Sequence, residues 1–229
     1  MPWDAFEKSI KSWSLKATHP CHTNDLFEFM PVWASEKAEF HSIMKILREE
    51  FVFFSFSEKM SNCAMWGHYA DQFRGVCMVF YFPFTVPIRQ VEYNINRVRL
   101  EDYKNEKEAI KLYDRILATK DESWRYESEW RLVKAAHDAD DAYNDMLLYK
   151  YPMNYFIGVI LGVNCSHSTG YTKKLIHKNS NTLLNTNSPY FVTRSFPDNE
   201  KYIIHNEFWK DNMNVDKVKE AGFILNESA

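Results

Sequence analysis

Phe51-Val52-Phe53-Phe54-Ser55-Phe56-Ser57, then Cys63-Ala64-Met65-Trp66-Gly67-His68-Tyr69-Ala70-Asp71, then Gly75-Val76-Cys77-Met78-Val79-Phe80-Tyr81-Phe82-Pro83 is the stretch that decides the fold. Residues 51–56 are rich in aromatic and β-branched types and meet a polar segment at Ser57, which predicts a strand. Residues 62–72 predict a short helix with Met65, Trp66 and Tyr69 on its inward side, and Gly75 as its stop signal. Val76 to Phe82 predicts a second strand closed by Pro83. Two strands flanking a short helix are the expected centre of the fold.

Working outward, Trp13 to Ala17 predicts a strand after a short N-terminal helix. Ser35 is the expected N-cap of a helix over 36–50, where Phe40, Ile43, Met44 and Leu47 repeat at helical spacing. Residues 101–119 predict the longest helix, with Ile110, Tyr113, Ile116 and Leu117 as its apolar positions. Strands are expected at 89–93, 130–135, 146–151, 156–163, 190–196 and 201–208, and helices near 169–178 and 213–222. No repeat or low-complexity linker interrupts residues 1–229. The reading is one α+β domain with a mixed or antiparallel central sheet and flanking helices.

Composition narrows the class. The chain has 229 residues, 45% of them hydrophobic and 26% charged, with a net charge of −3. That balance gives no general attraction to nucleic acid or to an anionic membrane, although it leaves room for a local basic surface. Seventeen Phe, thirteen Tyr and seven Trp stand against six Gly. So many rings supply an aromatic core and also the means to stack a flat ligand. Four scattered cysteines without a CxxC pair, no apolar leader and no membrane-length apolar run fit a cytoplasmic chain.

Three constellations carry possible chemistry. Asn24-Asp25-Leu26-Phe27-Glu28 reads either as a turn or as a loop presenting an amide and a carboxylate. Ser55 and Ser57 share one face of their strand, and His68 and Tyr69 follow on the next helix. In Trp124-Arg125-Tyr126-Glu127-Ser128-Glu129-Trp130-Arg131, an extended chain puts Glu127, Glu129 and Arg131 on one side. That pattern suits either a solvated edge strand with a Glu–Arg ladder or a carboxylate pair for acid–base work or ribose binding. His19, Cys21 and His22 lack the set spacing of a metal site, and no metal is expected. Ser57, His68 and Asp71 lack a nucleophile elbow. No GxGxxG, P-loop or HExxH occurs.

These motifs resemble a bacterial family known as domain of unknown function 2971. Asn24 to Glu28 resembles its Asn-Asp-Pro-Phe-Glu, with Leu26 in the proline's place. Residues 54–57, 65–71 and 74–75 resemble its Cys-Phe-Ser, Met-Trp-Ser-His-Tyr-Ala and Arg-Gly segments, and residues 124–131 its Trp-x-Tyr-Glu-x-Glu-x-Arg. The resemblance covers about residues 14–165, and Ile157 to Gly162 fits the family's late strand. Ser55-Phe56-Ser57 followed by Glu127-Ser128-Glu129 is also similar to the Ser-x-Ser strand and Glu-x-Glu segment of mono-ADP-ribosyltransferases. That likeness implies an ADP-ribosyltransferase-like fold and NAD as substrate. Glu129 would be the ribose-side catalytic carboxylate and Glu127 the acceptor-side one. Asn24, Asp25, Ser55, Ser57, Trp66, His68, Tyr69 and Arg131 would surround NAD. It implies a toxin or anti-phage effector acting on a protein or nucleic acid, with an antitoxin or immunity partner. The alternatives are a non-catalytic binding module with a polar cleft, or a hydrolase or nuclease using the same carboxylates.

Overall fold

A computed structural model describes residues 1–31, 37–99, 106–143, 146–180 and 190–206. Along the chain run α1 (Trp3–Ser12), β1 (Ser14–Lys16), α2 (Lys37–Glu50), β2 (Phe51–Ser57), α3 (Cys63–Tyr69), β3 (Val76–Phe80), β4 (Ile88–Gln90) and β5 (Glu92–Asn94). They are followed by α4 (Glu106–Leu117), β6 (Thr119–Asp121), β7 (Glu129–Ala135), β8 (Asp141–Tyr143), β9 (Met146–Lys150), β10 (Phe156–Leu161), α5 (Thr169–Asn179), β11 (Phe191–Pro197) and β12 (Ile204–Asn206). The fold is mixed α and β. No helix among the described residues is long and apolar enough to cross a membrane. The Ser35 cap, residues 101–105 and the helix expected at 213–222 lie outside the described residues.

The described chain forms two compact units, each assembled from separate stretches. The first takes the described residues within 1–14, 60–86 and 150–206, and the second those within 15–59 and 87–149. No single central sheet contains β2 and β3: they belong to different units and different sheets. That corrects the expectation that they form the centre of the fold together. The polar stretch after Ser57 carries the chain from one unit into the other.

In the first unit the sheet order is β12-β11-β10-β3. β10 pairs parallel with β11 and antiparallel with β3. The parallel pair is joined through α5, the usual consequence of a crossover connection. β10 is apolar throughout because both its faces are covered. Val159 and Leu161 pack with Phe6 and Ile10 of α1 and Leu175 and Ile176 of α5. Ile160 packs on the opposite side with Trp66 of α3, with Ala70 just past its end and with Ile204. Gly75 is required where the chain enters β3, because a Cβ there would stand 2.2 Å from the Met1 carbonyl oxygen.

α3 is shorter than expected. Asn62 caps it, accepting from Ala64 N at 2.9 Å. It stops at Tyr69, before the left-handed residues Asp71, Gln72 and Phe73. Trp66 is 3% exposed and its Nε1 donates to the Met60 carbonyl at 2.7 Å. Tyr69 is exposed, against the inward position expected of it.

In the second unit β2, β7 and β4 form an antiparallel sheet with β7 in the middle. The expected strand over 89–93 is two strands, β4 and β5, and β5 leaves this sheet to pair parallel with β6. A further sheet runs β1-β9-β8. Phe53 packs under α2 and α4 with Ile43, Leu47, Leu112 and Ile116. Val52 and Phe54 point the other way, to Ala17 and Tyr149. The sheet is therefore covered on both faces at this level.

Candidate functional site

One face of the β2–β7 ladder changes character along its length. Its cross-strand pairs are Phe53 with Val133, Ser55 with Arg131, and Ser57 with Glu129. The first continues the apolar core under α2 and α4. The next two begin a buried polar cluster. Glu28 (6% exposed), Lys120 (5%), Glu127 (3%), Glu129 (3%) and Arg131 (1%) make up its charged members.

Arg131 organises the cluster. Its Nε donates to Glu129 Oε1 at 2.8 Å and its Nη2 to Glu129 Oε2 at 3.0 Å. Nη2 also meets Glu28 Oε1. Nη1 donates to the Leu117 carbonyl at 2.8 Å, at the last residue of α4, where a cation complements the helix dipole. The guanidinium lies over the rings of Phe29 and Phe53, 5.0 and 4.9 Å from their centroids. Lys120 on β6 donates to Glu127 Oε2 at 2.6 Å. Its Nζ stands 3.5 Å from Glu129 and 3.8 Å from Glu28. It also lies 4.6 Å above the Trp124 ring.

Ser55 and Ser57 close the edge nearer to solvent. Ser55 is exposed, and its Oγ donates to Glu129 Oε1 at 2.5 Å. Ser57 Oγ donates to the Glu127 carbonyl at 2.7 Å. The Glu129 backbone N–H donates to Tyr93 Oη at 2.8 Å. Glu127 does not belong to the strand. It ends a 3-10 turn over Glu122–Glu127, and Ser128 at φ 45° re-aims the chain into β7. The expectation of one shared face holds for Glu129 and Arg131 by strand periodicity. It holds for Glu127 by a left-handed turn that an extended chain does not describe. The solvated-edge alternative is excluded, because β7 is the central strand and these side chains are buried.

Three carboxylates face two cations, and the shifts follow from that count. Burial pushes the Glu28 carboxyl up, and Arg131 and Lys120 pull it back only in part, so it stays above its ordinary range. Burial also pushes Glu129 up, but Arg131, Lys120 and Ser55 outweigh it and hold it below that range. Burial alone would lower Lys120 and Arg131. The carboxylates around them raise both instead.

The remaining expected residues fall elsewhere. Asp25 makes the turn before Glu28: its Oδ1 accepts from Phe27 N at 2.9 Å and its carbonyl from Glu28 N at 3.3 Å. Its side chain is buried, and Oδ2 has no hydrogen-bond partner among the described residues. Asn24 is exposed beside it. Trp66, His68 and Tyr69 belong to the first unit. Trp66 is a core residue there, not a ring open to a ligand. His68 and Tyr69 are exposed on α3, edge to face at 6.1 Å.

No family model matches this chain. No curated protein and no solved structure matches it either. The reading of the site therefore rests on the residues themselves. Lys120 and Tyr93 belong to none of the three constellations, and Glu28 closes the first of them, where Asn24 and Asp25 were the residues expected at the site. Lys120 was the findable one, because two carboxylates on one buried face need more positive charge than Arg131 supplies.

A cavity of about 340 Å³ opens in the same unit. Phe27, Phe29, Ile95 and Ile116 line its apolar part, and Arg97 and Lys120 are its cations. Phe27 is half exposed, with the Arg97 guanidinium 5.5 Å from its ring centroid. Lys120 belongs to both the cavity wall and the charged cluster, whereas Glu28, Glu127 and Glu129 lie behind it and do not line the cavity; the acid on the wall is Asp121.

Proposed function

We propose that this chain is an NAD-consuming enzyme of the ADP-ribosyltransferase kind. The observation that supports it most is the hydrogen bond from Ser55 to Glu129, 74 residues apart in sequence. It joins the two motifs, Ser-x-Ser and Glu-x-Glu, whose likeness to transferases suggested the activity. The cavity beside Lys120, with the half-exposed Phe27 ring on its wall, is the place proposed for NAD.

On this reading the bond between ribose C1′ and the nicotinamide nitrogen breaks, and its electron pair leaves with nicotinamide. Glu129 carries a full negative charge at neutral pH, since its pKa lies below the ordinary range, and it favours the positive charge that develops on the sugar. Arg131 and Ser55 hold that carboxylate in one orientation. The acceptor's nucleophile then bonds to C1′, and its proton passes to Glu127. The acceptor is a protein or a nucleic acid, and a toxin or anti-phage role is the setting that such chemistry fits.

A second reading is favoured by a specific observation. Both Glu129 oxygens already accept from Arg131, and the residue is 3% exposed. A carboxylate so engaged also suits a non-catalytic binding module in which the cluster braces the cavity wall. Incubation with labelled NAD and a cell lysate separates the two. The transferase reading expects label in a protein or RNA fraction. Glu127→Gln should lower transfer more than it lowers plain NAD hydrolysis. No label and no nicotinamide from the wild type would leave the binding module.

A further inference from the structure

The exposed side of α5 is chemically one-sided. The helix Thr169–Asn179 contains Lys173, Lys174, His177 and Lys178 and no carboxylate. All four are exposed, while Thr172, Leu175 and Ile176 are buried against the rest of the first unit. Lys174 and Lys178, like Lys173 and His177, are one helical turn apart, which sets their charges about 5–6 Å from each other along the helix. A run of three lysines without a counter-charge on the helix stands out in a chain whose net charge is −3.

An aromatic stack stands at the start of the same helix. The Trp3 and His167 rings are 3.7 Å apart at their centroids and inclined by 15°. Tyr171 lies beside this pair, its ring 5.4 Å from His167 and 6.2 Å from Trp3, inclined by 26° and 38°. Tyr171 is 48% exposed, so the ring cluster offers one ring to solvent. Ser168 caps the helix by accepting from Tyr171 N at 3.1 Å, which fixes the backbone that carries this ring. Of the two acids of α1, Asp4 and Glu7, Glu7 feels the charge of His167 and is paired with Lys11 at 2.8 Å.

We propose that this face of α5 binds single-stranded nucleic acid, with the exposed Tyr171 ring, braced by Trp3 and His167, stacking on a base and Lys173, Lys174 and Lys178 meeting the adjacent phosphates. Bases stack on exposed rings whatever their sequence, and lysines act as point charges along the backbone. A membrane fits less well, because an interfacial helix inserts its apolar face and that of α5 is already buried. An acidic protein surface would use the lysines and leave the exposed Tyr171 ring idle. The inference is independent of the NAD reading.

Anisotropy of the full chain with labelled single strands of about twenty nucleotides tests it, one of uridine and one of thymidine. Binding is expected to weaken as salt rises from about 50 to about 200 mM, with a log–log slope near −2 for three lysines at about −0.7 each. Replacing all three, Lys173→Ala, Lys174→Ala and Lys178→Ala, should flatten that slope and lower affinity more than about tenfold. Tyr171→Ala should lower affinity about 5- to 100-fold with the slope unchanged, and Tyr171→Trp should retain it. The uridine and thymidine strands together tell an RNA-specific site from a general one, and binding of either supports the proposal. No binding at low salt overturns it. So do equal binding of duplex or anionic vesicles with no effect of Tyr171→Ala, and displacement by polyglutamate with no effect of Tyr171→Ala. All four side chains replaced are exposed, and an unchanged circular dichroism spectrum confirms that the variants fold.

Discussion

β10 and β7 are both inner strands of their sheets, and they are buried by opposite means. β10 offers hydrocarbon on both faces, to α1 and α5 on one side and to α3 on the other. β7 offers Val133 to the core at one end and Glu129 and Arg131 to a charged cluster at the other. Apolar burial is non-directional and nearly independent of pH. Charged burial is favourable only while every partner is present, because each ion gave up its water. The two strands should therefore respond differently to substitution and to pH.

The largest effect is expected at the organising residue of β7. Arg131→Ala leaves Glu28 and Glu129 buried without their main partner and should cost about 3–5 kcal/mol. Arg131→Met fills the space but not the charge and should recover little. Urea denaturation of both variants checks this. If Arg131→Met matches the wild type, the cluster is not held by pairing. The apolar counterpart, Trp66→Ala beneath β10, should also cost about 3–5 kcal/mol, from lost contacts and the cavity left behind. Its loss should be the same at every pH where the protein folds, whereas that of Arg131→Ala should shrink as acid neutralises the carboxylates.

Glu129→Gln should cost less, about 1–3 kcal/mol, since the amide can accept but its NH2 group meets the Arg131 donors. The folded-state pKa of Glu129 is depressed. Its contribution is thus present above the ordinary carboxylate range and lost as pH falls through the folded value. Glu28→Gln should have the smallest effect and the opposite slope. Folded Glu28 binds its proton more tightly than the unfolded chain, so wild-type stability falls as pH rises from about 4.3 towards the raised value. The variant lacks that loss, and its stability relative to wild type should rise over the same interval and then level off. Denaturation midpoints at several pH values between acid and neutral would show it. A Glu28→Gln advantage that is flat with pH would mean that Glu28 does not bind its proton more tightly in the folded chain than in the unfolded one.

The same contrast explains what could be read in advance. β10 was legible because an unbroken apolar run bounded by polar residues has few other readings. The turn at Asp25 and the helix Lys37–Glu50 were legible through local chemistry. β2 was placed correctly, but its partner was not: pairing with β7 closes a loop of more than seventy residues, and nothing local to Phe51 or Trp130 encodes it. For the same reason β7 could not be told from an edge strand. The division into two units left no Gly- or Pro-rich linker to notice, because each unit is threaded from separate stretches of chain. At the site, the Glu129 and Arg131 pair followed from strand periodicity. Lys120 comes from a distant element and carries no periodic signal of its own, and Glu28 lay in the segment Asn24 to Glu28, in which Asn24 and Asp25 drew the expectation. Trp66 sat in a conspicuous motif because it is a core residue at a helix–sheet contact, and His68 and Tyr69 shared that motif without sharing its burial.

The central claim is that the charged face of β7 is a working site as well as a brace. Nicotinamide release from NAD, measured on wild type and Glu129→Gln alongside their melting temperatures, tests it most directly. The account expects release by the wild type, and a loss of about 100- to 1000-fold in the variant, with the variant still folded at the assay temperature. Wild-type protein that releases no nicotinamide, together with a Glu129→Gln variant whose only change is a lower melting temperature, would contradict it and leave the cluster as a brace alone.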